Sequence, residues 1–194
     1  MRITNQILGL LLVATASTAA YAGDGTITGT VDAKPSKFLK DTVVYIKEVP
    51  NTKLEAKTVE IDQKGMAFDP HIVTIAVGDT VKFHNHDKVD HNVYSPDGKY
   101  DLGTWGTGAT KDNVFKTVGV FSQICKLHPE MLAYVFVGQN RFAAQVDDKG
   151  AYTIAGVPPG KYELVIWNAK LKAESKKIEV AADGKVKADF SLAR

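Results

Sequence analysis

The stretch TVGVFSQICKLHPEMLAYVFV, Thr117 to Val137, reads as two strands joined by a short loop. Its flanks, Thr117–Ile124 and Leu132–Val137, are rich in β-branched and aromatic residues, the composition that fits a pleated, half-buried surface. A loop between two such strands lies at one pole of a β-sandwich. It carries the only cysteine of the chain, Cys125, with His128 and Met131 following at steps of three. Residues three apart on a tight turn can converge on one point.

The chain around this stretch reads as β throughout. Thr26–Val31, Val73–Val77, Thr80–Phe83, Tyr162–Trp167 and Val186–Leu192 alternate apolar with polar or small residues, the period of strands with one buried face. Turn chemistry separates them at Val77-Gly-Asp79, Pro96-Asp-Gly98, Asp148-Lys-Gly150, Val157-Pro-Pro-Gly160 and Asp183-Gly184. No amphipathic helix longer than about two turns is evident. The expected fold class is all-β, built from sandwiches.

Met1-Arg2, the apolar run Ile7–Ala16 and the small-x-small sequence Ala20-Tyr21-Ala22 fit a secretory signal peptide cut between Ala22 and Gly23. The apolar run is too short for a membrane span, and no later stretch is apolar enough to be one. The expectation is an exported, periplasmic protein with no span in its mature form. Its 24 Lys and Arg nearly balance its 22 Asp and Glu, and the charges are interspersed. No basic stripe argues for nucleic acid. One cysteine excludes an internal disulfide, and a free thiol outside the cytoplasm meets oxidants unless it is buried or occupied.

The β pattern is interrupted. Gly25–Lys47 reads as two strands joined by a loop through Pro35, and Arg141–Asp147 with Gly150–Leu192 supplies about five more. The sequence AQVDDKGAYTIAGVPPGKYELVIW, residues 144–167, resembles the carboxypeptidase regulatory-like, transthyretin-like sandwich. In that family the DxxGxYxIxGVPPGxY pattern follows closely after the second strand; here a long run of other sequence intervenes. The expected organisation is a discontinuous outer domain, residues 23–56 and 141–194, with a second domain, residues 57–140, inserted at a loop. The alternative is a single continuous sandwich.

All five histidines, His71, His84, His86, His91 and His128, fall in the insert with Cys125. A thiolate, an imidazole and a thioether converging in the loop make a soft site that suits copper. A second imidazole is needed, and Asp90-His-Asn-Val-Tyr-Ser95 supplies His91. The structural alternative is an ordinary buried turn with a satisfied histidine. Met131 can also be core filler, leaving a three-coordinate or water-completed site.

Val77-Gly-Asp-Thr-Val-Lys-Phe83, then His91-Asn-Val93, then Cys125-x-x-His128-x-x-Met131 resembles the plastocyanin, pseudoazurin and amicyanin branch of the cupredoxins, with the short loop most similar to amicyanin. The full layout resembles bacterial methylamine-utilisation-like proteins, which combine a cupredoxin with a carboxypeptidase regulatory-like domain. The resemblance implies a Greek-key cupredoxin domain inserted in a transthyretin-like sandwich. It implies one type 1 copper per chain, held by His91, Cys125, His128 and, as weak axial ligand, Met131. Asn92 matches the position that ties the two ligand loops together. Lys126 and Leu127 depart from the small or proline residues common in this loop.

The implied function is one-electron transfer between redox partner proteins. The His128 ring edge would reach the surface through an apolar patch drawn from Leu127, Pro129, Tyr94 and Pro96. No paired acid and base or open catalytic position is evident, so an enzyme is not expected. The rivals are a copper-binding or delivery protein and a non-redox interaction module. His84 and His86 read as solvated surface histidines, with a second copper-loading site as the alternative, and His71 as structural. Gly103–Lys111 lacks the Gly-Lys-Ser/Thr ending of a phosphate loop and reads as a turn between strands.

Overall fold

The computed structural model describes residues 23–194; the expected signal peptide, residues 1–22, lies outside the described residues. Strands β1 (Gly25–Ala33) and β2 (Thr42–Ile46) flank a 3-10 helix, Ser36–Asp41. Nine strands follow: β3 (Thr58–Gln63), β4 (Phe68–Asp69), β5 (Ile72–Ala76), β6 (Thr80–Asn85), β7 (His91–Ser95), β8 (Tyr100–Trp105), β9 (Thr110–Val114), β10 (Gly119–Ile124) and β11 (Leu132–Gly138). The last six are β12 (Ala143–Gln145), β13 (Ala151–Val157), β14 (Gly160–Asn168), β15 (Lys176–Val180), β16 (Lys185–Lys187) and β17 (Phe190–Leu192). Among the described residues no helix is long and apolar enough to cross a membrane.

The strands form four sheets. Two are built wholly from the chain ends: β13-β1-β16 with β17 also paired to β1, and β12-β2-β14-β15. The other two, β4-β3-β6-β9 and β5-β11-β10-β7-β8, are built wholly from the middle. The protein is thus all-β, with its sheets divided between strands from the middle of the chain and strands from its ends. Tyr45 on β2 lies opposite both Ala143 and Val165, far along the chain. The turn sequence at Gly103–Lys111 is shorter than expected. β8 runs on to Trp105 and β9 begins at Thr110, because Asn92 and His91 on β7 hold Thr104 and Trp105 in register.

Each group has its own core. Ile27, Val31, Ile46, Ile154, Leu164 and Phe190 belong to one; Ile61, Val81, Phe83, Val93, Cys125, Met131 and Val135 belong to the other. β1 shows the clean alternation of a strand with one solvated face. Its Gly29 is required: a Cβ there would lie 1.9 Å from the Ala188 carbonyl oxygen, far inside contact distance, so only glycine lets the two backbones approach.

β2 and β11 behave differently, with near-continuous burial along TVVYI and LAYVFVG. Strands covered on both faces read as unbroken apolar runs. The second cover is a third cluster, in which Val43, Ile72 and Phe136 are buried among Tyr45, Tyr134 and Trp167. Tyr45 packs on Phe136 with ring centroids 4.7 Å apart, and Tyr134 meets Trp167 edge-on at 5.2 Å. His71 has the structural role expected of it. Its Nδ1 lies 2.9 Å from the Leu132 carbonyl oxygen and its Nε2 2.8 Å from Asp41 Oδ1, so it bridges the two groups of sheets.

Candidate metal centre

The loop that carries Cys125, His128 and Met131 is the β10–β11 hairpin connection. Ile124 pairs with Leu132 at its base and with Tyr94 on β7, which brings the start of β7, and so His91, beside the loop. Inside the loop Met131 N–H donates to the His128 carbonyl at 3.0 Å, and Cys125 N–H to the Met131 carbonyl at 3.4 Å. These bonds close the turn and set Cys125, His128 and Met131 on its inner side.

His91, Cys125 and His128 come together as expected. His91 Nδ1 lies 3.0 Å from His128 Nδ1, and Cys125 Sγ lies 3.7 Å from His128 Nδ1 and 4.0 Å from His91 Nδ1. Among the described residues they are the one group of three or more His, Cys, Asp or Glu side chains whose donor atoms all fall within 4.8 Å of one another. His91, Cys125 and Met131 are buried to 1% exposure or less, whereas His128 is partly exposed. Met131 packs in the same core cluster as Cys125 and Val93.

The partners of His91 favour a cation. Asp87 Oδ2 lies 2.9 Å from His91 Nε2. The Met66 amide, joined by His91 and the Gly65 amide and only partly opposed by burial, brings the Asp87 carboxyl down to about 2. An ionised carboxylate can only accept, so His91 carries its proton on Nε2 and turns a lone pair on Nδ1 toward Cys125 and His128. Such a carboxylate–imidazole pair orients a ligand and raises its basicity. A borderline-to-soft donor set of two imidazole nitrogens and a thiol sulfur, with His91 and Cys125 buried, fits copper.

Asn92 ties the two loops together, as its position suggested. Its backbone N–H donates to Cys125 Sγ at 3.3 Å, and its Oδ1 accepts the Lys126 N–H at 3.3 Å. Its Nδ2 donates to Asp101 Oδ1 at 2.7 Å and to the Gly103 carbonyl at 2.9 Å. Asp101 in turn takes Lys126 Nζ at 2.6 Å. Lys126, then the Gly103 amide and Asn92, hold the Asp101 carboxyl down at about 2. Lys126 therefore has a role the sequence did not suggest: it also sits 4.2 Å from the Tyr94 ring centroid.

That placement divides the expected surface patch. Leu127 and Pro129 are exposed beside His128, but the Tyr94 face is taken by the Lys126 ammonium. Asp87 and Asp101 escaped sequence reading. The one available signal was the i−4 spacing of Asp87 to His91, which has no force on a loop of unknown path.

Residues 55–158 match the family described as copper binding proteins, plastocyanin/azurin family. Residues 136–188 match polysaccharide lyase family 4, domain II, a fibronectin-III-like domain. No curated protein matches the chain. Among 126 matching solved chains is a methionine mutant of amicyanin with Cu(I), at 22% identity over 41% of this chain and 81% of that one, TM-score 0.40. A purple cupredoxin from Nitrosopumilus maritimus matches at 26% identity over 43% of this chain and 100% of its own, TM-score 0.39. A Cu-containing nitrite reductase from Thermus scotoductus matches at 26% identity over 47% of this chain and 25% of its own, TM-score 0.40.

Proposed function

Because the chain belongs to the plastocyanin/azurin family of copper-binding proteins, we propose that it is a type 1 copper electron carrier with one copper per chain. His91, Cys125 and His128 would hold the ion, with Met131 as a weak fourth ligand. The observation that carries this reading is the convergence of two Nδ1 atoms and one sulfur on a single point, 3.0 to 4.0 Å from one another. Copper held there supplies a one-electron couple between its two common charge states.

The residues of the chain supply the rest. Strand ends and the Asn92 and Asp87 bonds keep the donors in place, so that little has to move when the charge changes. Burial of His91, Cys125 and Met131 keeps water out. His128 is the imidazole that reaches the surface, flanked by exposed Leu127 and Pro129, and a docked redox protein would exchange electrons along its ring edge. The site serves transfer rather than catalysis on this reading.

The division of the strands supports a cupredoxin domain, residues 57–140, inserted in an outer domain of residues 23–56 and 141–194. The GVPPGxY pattern favours a transthyretin-like relationship for that outer part, beside the fibronectin-III-like match. The signal-like sequence of residues 1–22 supports a periplasmic location for the mature protein.

The test is optical. The Cu(II)-loaded protein should show intense visible absorption from thiolate-to-copper charge transfer, absent in Cys125→Ser, and should take up one electron reversibly in a redox titration. A colourless Cu(II) protein overturns the ligand set. Colour without reversible reduction replaces electron transport with copper binding or delivery.

A further inference from the structure

A second histidine cluster lies on the outer face of the four-stranded sheet β4-β3-β6-β9. β3 and β6 run parallel with Glu60 opposite Lys82 and Asp62 opposite His84. Ile61, Val81 and Phe83 fill the core, so Glu60, Asp62, Lys82 and His84 stand on the other face. His86 continues that row, since its backbone N–H still donates to the Gln63 carbonyl at 2.9 Å.

The His84 and His86 rings stack, with centroids 5.8 Å apart and planes within 5°. His84 Nε2 lies 3.5 Å from Glu60 Oε1, and His86 Nε2 lies 3.1 Å from Asp62 Oδ1. Both imidazoles thus turn the same nitrogen toward the strand that bears both carboxylates. His84 Nε2 is shut off from solvent, and Glu60 Oε1 at 3.5 Å is too distant to give it a hydrogen bond. A buried polar atom so loosely partnered can be satisfied by a stronger partner.

We infer that Glu60, Asp62, His84 and His86 form a second, thiolate-free site for a divalent transition-metal ion such as Cu(II) or Zn(II). Two imidazoles and two carboxylates are the donor set that such ions favour, with Cu(II) bound most tightly. The two carboxylates balance the charge of the ion. The donor atoms of the four residues do not converge as closely as those at Cys125, but the side chains of Glu60, Asp62 and His86 are 63%, 43% and 50% exposed, with room to close on an ion beside His84, which is 20% exposed. Lys82 is the cation nearest in register, and it faces Asp112 across β9 as well as Glu60. This site stands independently of the one at Cys125.

The experiment is a titration of the full mature chain with one and then two equivalents of Cu(II), followed by absorption and electron paramagnetic resonance. The expected second equivalent adds no thiolate band and gives an axial signal split by two imidazole nitrogens. In the double variant H84Q/H86Q its affinity falls at least about tenfold, because loss of a partner only one shell away from a metal already costs about 10–100-fold. The first equivalent is unchanged. E60Q/D62N, which keeps both imidazoles, also weakens the second equivalent. Equal uptake by wild type and H84Q/H86Q, or no second equivalent in the wild type, overturns the proposal. Loss of the visible band from the first equivalent, with the second intact, would count against the electron-carrier reading and leave this site standing.

Discussion

The guanidinium of Arg141 clasps the carboxylate of Asp79, with Nη2 2.8 Å from Oδ1 and Nη1 2.5 Å from Oδ2. Asp79 has no exposed surface and Arg141 only 28% of its side chain. The same carboxylate accepts the Lys57 and Ala76 amides at 2.8 and 2.9 Å, and Arg141 Nη2 also donates to the Glu55 carbonyl. One residue pair therefore gathers both places where the chain passes between the two groups of sheets.

Breaking that pair leaves a buried, uncompensated charge. Arg141→Ala should destabilise the protein by about 3–5 kcal/mol, and Arg141→Lys should recover only part, since an ammonium cannot replace a two-pronged contact. Urea unfolding followed by near-ultraviolet circular dichroism measures both. A loss below 1 kcal/mol, the scale of an exposed ion pair, would show that the contact is not what holds the crossings.

The same pair predicts a pH effect. Burial alone pushes the Asp79 carboxyl up, but Arg141 and the Ala76 and Lys57 amides outweigh it and hold the group below its usual range. Its stabilisation is therefore complete above the unfolded value of about 3.9 and is lost as pH falls through the depressed folded value. Arg141→Ala removes the strongest opposing interaction, so its acid-unfolding midpoint should move to higher pH. An unchanged midpoint in an acid titration would contradict this.

Asp87→Ala removes the acceptor that keeps the His91 proton on Nε2. Copper affinity should fall about 10–100-fold, read by competition with a chelator of known strength, while the visible band keeps its position because Cys125 is untouched. A shifted band with unaltered affinity would mean that Asp87 acts on the thiolate rather than on His91.

Met131→Leu keeps the buried volume and removes the thioether. If Met131 donates weakly to copper, its loss disfavours the higher charge state and raises the reduction potential, with the visible band retained. Protein-film voltammetry decides the matter. An unchanged potential would assign Met131 to the core alone.

Phe136→Ala empties the contact with Tyr45 and should cost about 3–5 kcal/mol. Because Phe136 belongs to the cluster between the two groups of sheets, calorimetry should also split one unfolding transition into two. A single, merely lowered transition would mean that the remaining contacts still couple them.

The candidate ligand loop was legible in the sequence because its geometry is local. Cys125, His128 and Met131 share one turn, and the flanking strands announce themselves by composition. His91 was legible through Asp90–Ser95 and its neighbour Asn92. The supports were not. Asp87, Asp101 and Lys126 find their partners only after distant loops are placed, and nothing in their spacing separates them from other surface charges. Arg141 and Asp79 are similarly far apart in sequence. The outward histidines were seen, but the loosely partnered nitrogen of His84 depends on how tightly β3 and β6 pack. The double burial of β2 and β11 was half legible, since an apolar run marks a covered strand without naming its cover.

β11 begins at the Cys125–Met131 loop and, four residues on, presents Phe136 to the other group of sheets. The frame of the loop and the wall of the contact are one strand, with no flexible span between them. A protein that grips the outer sheets therefore also fixes the direction in which His128 faces, as a handle fixes the direction of a blade.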